Sequence, residues 1–262
     1  MPLRSLAALL AATLAAAAAV GAPPAGAQGS VTAETQRKSF TDEEIVEGFF
    51  KLVLGAEYHV AGRVDGVRRY EKPVRVYIDS RAKPDRRKQA AAVVADIKSK
   101  VKHLDIAVTD DKGSANFFVT LVRDRDLNRT LVAFYGRERA REIQRSLEPQ
   151  CLSGFRKDEK LRIERSDVIL VVDAGDFIFY DCAYEEMLQA LGPINDDDTV
   201  LWTMFNDDVQ MGFFGIYDQY ILNLLYHPRV KAGMTAPQIR EMLVTILPEV
   251  RAWVAEANGL PR

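Results

Sequence analysis

The chain has 262 residues, with 35 Lys and Arg against 37 Asp and Glu and a formal net charge of −2. That balance argues against nucleic acid or an anionic membrane surface as partner. The length suits one large domain or two small ones.

Residues 1–27 read as a separate object. Arg4 gives a short positive start, an Ala/Leu run follows over 6–20, Pro23 and Pro24 break it, and Ala25-Gly26-Ala27 offers an A-x-A site. This is the pattern of a secretory signal peptide cleaved after Ala27. The run is short for a membrane span and no later one reaches ~18 apolar residues, so no transmembrane segment is expected in the mature chain. Its Ala-rich character looks bacterial, which makes the periplasm or the medium the expected location. Cys151 and Cys182 are the two cysteines, and in an oxidising compartment they are expected to form a disulfide. A redox or metal role is the alternative, disfavoured by the lack of C-x-x-C spacing.

Residues 28–40 are polar and read as a disordered lead, and the domain is expected over 41–262. Thr41 and Glu44 form a capping box, and Ile45, Phe49, Leu52 and Val53 then recur at helical spacing up to Gly55. Residues 74–78 alternate as a strand. Pro84 opens a long helix with Val93, Val94, Ile97, Val101 and Leu104 on one face. Strands are expected at 106–108 and 117–122, and a charged amphipathic helix at 136–147. The basic stretch 123–145 is interleaved with Asp124, Asp126, Glu138 and Glu142, as a solvated helix face would be. Two more strands are read at 163–172 and 177–180 around the turn 173–176. A helix follows at 182–191 with Asp181 as N-cap, then apolar helical spacing at 216–226. A second capping box, Thr235 and Gln238, starts a C-terminal helix with Pro248 as a break or kink. The fold class is therefore α+β: a single domain with a mixed twisted sheet in the first two-thirds, long helices, and helices grouped toward the end.

Around 184–196 the sequence reads YEEMLQALGPIND. Glu185 and Gln189 lie four apart on one helix face, with Glu186 beside them. Ala183, Met187, Ala190 and Leu191 form the opposite, apolar face. Gly192 is placed to end the helix in a left-handed residue, and Pro193 blocks its continuation. Hard oxygen donors, with Asp196, Asp197 and Asp198 close by, suit calcium better than zinc. Asn206, Asp207 and Asp208 could join them around a cation, although exposed acidic loops are the commoner explanation. A plain amphipathic helix with a solvated polar face is the alternative to any metal site. His59, His103 and His227 have no metal spacing to one another, and no phosphate-binding glycine loop or G-x-S-x-G is present.

The same segment resembles the metzincin zinc-protease motif H-E-x-x-H-x-x-G-x-x-H with every histidine replaced. The resemblance puts Glu185, Gln189 and Asn195 at the ligand positions, Glu186 at the general-base position and Gly192 at the turn. It continues downstream: Leu201 to Phe205 resemble a Met-turn, with Met204 as its methionine, and Asp218 to Tyr226 resemble the closing helix of matrixins. It implies a zincin-like fold with the active-site-type helix at 182–191. A closer likeness, carried by Glu185 to Asp196, Phe205 to Asp208 and Asp218 to Met234, is to a family of secreted bacterial proteins of unknown function, some of them lipoproteins. Pro193 and His227 depart from that pattern. The family implies no reaction.

Three functions compete on this reading. The leading one is a secreted zincin-like domain that has lost zinc and binds a peptide or an envelope protein, with an extended segment held against a sheet edge. The second is a metal-dependent hydrolase in which Glu186 is the base and Glu185, Gln189 and Asn195 or Asp196 hold a divalent cation. The third is an envelope module stabilised by calcium in the acidic loops.

Overall fold

The computed structural model describes residues 31–54, 66–80, 82–147 and 150–261. The expected signal peptide at 1–27 and the stop at Gly55 lie outside them. The lead is described from Val31, whose N–H donates to Gln210 O at 3.1 Å; further on, Gln36 Oε1 accepts from the Ile216 N–H at 2.9 Å.

Helix α1 (Asp42–Leu54) begins on its capping box: Glu44 N–H reaches Thr41 Oγ1 at 3.2 Å, and Thr41 N–H reaches Glu44 Oε2 at 2.8 Å. Its periodic residues Ile45, Phe49, Leu52 and Val53 are buried. Strand β1 (Val74–Ser80) leads to α2 (Arg87–Lys100), which starts after Pro84 and ends before Val101 and Leu104, although both stay buried. The residues ahead of α2 are occupied elsewhere: Arg86 donates to Val172 O at 2.6 Å and pairs with Asp176 at 2.7 Å. Strands β2 (Ile106–Val108) and β3 (Phe117–Val122) fall where alternation places them.

Helix α3 (Asp124–Leu147) starts well before the expected residue 136. Leu127 and Leu131 bury at helical spacing in its first half, and Gly136, at φ 82°, kinks the helix where the sequence reading begins it. Strand β4 (Cys151–Lys157) is not expected from the sequence, and β5 (Ile163–Val171) is. Residues 177–180 are not a strand, because they form the start of α4 (Asp176–Gln189). Phe179, Ala183 and Met187 recur four apart and are all buried, so helical periodicity outweighs the strand propensity of Phe-Ile-Phe-Tyr. Asp181 therefore lies inside the helix, and Gly175 takes the N-cap position. Helices α5 (Ile216–Leu225) and α6 (Ala236–Ala257) close the domain; α6 keeps its capping box and passes through Pro248.

Among the described residues the sheet has five strands in the order β2-β1-β3-β5-β4. All its pairs are parallel except β4 with β5, which is antiparallel. Alternate residues of β3 and β5 serve different layers. Phe117, Val119, Leu121, Val168 and Leu170 join the large core with α1, α2, α4, α5 and α6. Val122, Ile169 and Val171 face α3 with Leu127, Leu131, Ala140 and Ile143. The expectation of a mixed α+β architecture is met. Strand β4 is sandwiched the same way: Cys151 and Phe155 pack toward α4, while Leu152 packs toward α3. With apolar residues on both faces and Gly154 between them, it has no clean alternation to read.

Candidate functional site

Helix α4 ends at a fixed reversal. Its last carbonyls would be orphaned in the core, but Ser166 Oγ donates to Ala190 O at 2.7 Å and Tyr226 Oη donates to Leu191 O at 2.7 Å. Gly192 then sits at φ 141°. A Cβ there would lie 2.5 Å from Arg68 O and 2.8 Å from Leu225 Cδ2, so the close approach requires glycine.

After the reversal the chain divides the expected ligand set. Asn195 turns away to α1: its Nδ2 donates to Lys51 O at 3.0 Å and its N–H donates to Leu52 O at 3.3 Å. Asp196 turns back over the polar face of α4, where Gln189 Nε2 donates to its Oδ1 at 2.7 Å. The other end of the Gln189 amide accepts from Ser153 Oγ of β4 at 3.3 Å. Glu185, Gln189 and Asn195 therefore do not meet at one point.

Carboxylates meet instead. Oxygens of Glu185, Asp196 and Asp207 lie within 4.8 Å of one another. Glu185 and Asp196 are half-buried and Asp207 is exposed. Asp207 arrives on a loop stapled by the buried Asn206, whose Nδ2 donates to Asp198 O at 3.1 Å and Val200 O at 3.2 Å. The loop is closed further by Asp197 N–H on Phe205 O at 2.9 Å. Burial pushes the Glu185 carboxyl well above the usual range, and the nearby charges of Glu186, Asp196, Asp181 and Asp207 push it the same way. Asp181 is raised by burial too, against the donated Met211 N–H.

Glu186 is buried and stands outside this trio. Its charge acts on Tyr135, whose hydroxyl is pushed up to about 12 by burial first, then by Asp167 and Glu186. Met204 is buried beneath the loop, and its N–H lies 3.4 Å from Asp218 Oδ2. Thr203 Oγ1 donates to Asp218 Oδ1 at 2.5 Å, so α5 holds this turn through one buried carboxyl.

As a metal centre the trio offers three hard oxygen donors and no imidazole or thiolate. Hard oxygens alone suit calcium better than zinc, which favours imidazole and thiolate beside carboxylate.

The second part of the site is the outer edge of β4. Cys151 and Cys182 are bridged, with Cα atoms 5.7 Å apart, and this holds β4 against α4. Val171 N–H donates to Gln150 O at 3.1 Å, in register with the β4–β5 ladder. Bonded pairs alternate in an antiparallel ladder. Leu152 and Gly154 therefore turn their main-chain groups toward β5, and Ser153 and Phe155 turn theirs outward. Among the described residues no strand pairs with that edge. The expected Cys151–Cys182 disulfide is present, whereas the strand it ties down is not read from the sequence.

Comparison with curated proteins and with solved structures finds no significant match. A family model does match, over residues 42–245, which takes in α1 through most of α6 and every residue of the acidic trio. The chain belongs to the family described as Protein of unknown function (DUF2927).

Proposed function

We propose that this chain is a secreted, zincin-like domain of the cell envelope that binds an extended peptide along β4 and performs no hydrolysis. The observation that carries the reading is the open edge of β4 beside the polar face of α4. Ser153 and Phe155 turn their N–H and C=O groups outward there, and Gln189 lines the adjoining face. An extended segment adds to such an edge through main-chain bonds, and its alternate side chains reach the flanking pockets. The bridged cysteines support an oxidising compartment. Zincin likeness draws support from the α4–Gly192 reversal and from the turn at Met204 tied to α5 through Asp218. The absence of catalysis is argued from the ligand positions, where Gln189 and Asn195 are both committed to other partners.

The test is selection from a phage-displayed random heptapeptide library on wild-type protein and on Ser153→Pro. Proline removes the outward N–H but is tolerated on an edge strand. Enrichment on wild type that the variant abolishes supports the reading. Equal enrichment on both proteins contradicts it.

The trio favours a second reading, calcium held by Glu185, Asp196 and Asp207 as a brace between α4 and the loop. It predicts a rise in melting temperature with added calcium, since a ligand of the folded state stabilises it.

A further inference from the structure

We infer that the peptide bound along β4 carries a lysine or arginine whose charged head is received between Glu185, Asp196 and Asp207. The inference rests on the peptide-binding reading above and adds the chemistry of the ligand. Ser153, Gln189 and Asp196 form a hydrogen-bonded line from the middle of β4 to the trio, with links of 3.3 and 2.7 Å. A strand added outside β4 projects alternate side chains onto the α4 face, as Ser153 does. A long basic side chain on that strand would lay its stem along the strand and turn its head toward the carboxylates.

The electrostatics of the trio call for a cation. The charges of Glu186, Asp196, Asp181 and Asp207 all act on Glu185. Among the described residues neither Glu185 nor Asp207 has an ion pair. Oxygens within 4.8 Å of one another suit a single ammonium or guanidinium head. Gln189 joins the β4 edge to the acidic trio. Its Nε2 points to Asp196 and its Oε1 to Ser153, so the amide presents a donor toward the acidic side.

The experiment sequences the heptapeptides selected on wild-type protein in EDTA. The expected result is one position fixed as lysine or arginine. Replacing that residue by alanine then weakens binding by about tenfold or more on wild type. On Asp207→Asn, a change at an exposed position, and on Glu185→Gln/Asp207→Asn the same replacement has little effect. Selected peptides with no basic position that bind wild type and both variants alike would overturn the inference while leaving edge binding intact. Peptides that bind only with added calcium would overturn it in favour of the metal. A library that yields nothing on wild type would overturn both this inference and the reading beneath it.

Discussion

Gln189 donates to Asp196 Oδ1 at 2.7 Å and so joins a helix residue to the loop that carries the acidic trio. The same amide reaches Ser153 on β4. Replacing Gln189 by Ala removes both links. The expected cost is about 1–2 kcal/mol in urea unfolding, together with weaker binding of any peptide selected on the wild type.

Glu185 is raised mainly by burial and then by its acidic neighbours. A carboxyl raised in the folded state binds its proton longer there than in the unfolded chain. Its contribution to stability is therefore best at low pH and is lost as pH rises from the ordinary glutamate range through the folded value. Glu185→Gln should raise the melting temperature at pH 8 and change it little at pH 4. Scanning calorimetry at both values checks this; a melting temperature lowered at pH 8 would contradict the account.

Asp218 makes a similar argument from the core. Burial lifts it from 3.8 to about 7 against the hydrogen bonds of Thr203 and Met204. The sign is again a loss of stability as pH rises between those two values, flat above about 7. The loss is on the order of 4 kcal/mol from the size of the shift. Asp218→Asn should flatten that part of the pH–stability curve, read by urea titrations from pH 4 to pH 8.

The Cys151–Cys182 bridge spans 31 residues. Closing such a loop stabilises by about 3–4 kcal/mol in the chain-entropy account. The double Cys→Ser variant should lose about that much in urea unfolding. It should also bind selected peptides more weakly even where it remains folded, because β4 is no longer tied to α4.

Gly192→Ala should be more damaging than its size suggests. Its positive φ and the 2.5 Å approach to Arg68 O leave no room for a methyl group. A loss above about 2 kcal/mol is expected, against a few tenths for Gly113→Ala, whose nearest neighbour is a flexible side-chain atom at 3.2 Å.

Much of the fold was legible where one periodicity dominates. Thr41 with Glu44, and Thr235 with Gln238, mark helix starts by capping chemistry that acts locally. Strands β1, β2, β3 and β5 stand out by alternation or by apolar runs. The reading failed where the environment is mixed. Strand β4 has apolar residues on both faces, Cys151 and Phe155 toward α4 and Leu152 toward α3, so no alternation marks it. Residues 177–180 look like a strand because the first turns of α4 carry aromatics on both exposed and buried sides: Phe177 is 42% exposed and Phe179 is buried. The site was half legible. Glu185 and Asp196 were among the candidate ligands, and Asp207 was in an acidic loop that could join them, although a solvated loop was the preferred explanation. Asn195 goes to α1 instead through bonds to Lys51 and Leu52, main-chain partners far away in sequence.

Amide hydrogen exchange at β4 tests the central claim most directly. In the free protein the outward N–H groups of Ser153 and Phe155 should exchange fast, while Gly154, bonded toward β5, exchanges slowly. A bound heptapeptide is predicted to slow Ser153 and Phe155 and leave Gly154 unchanged. Saturating peptide that leaves Ser153 and Phe155 exchanging as before would contradict strand addition at this edge.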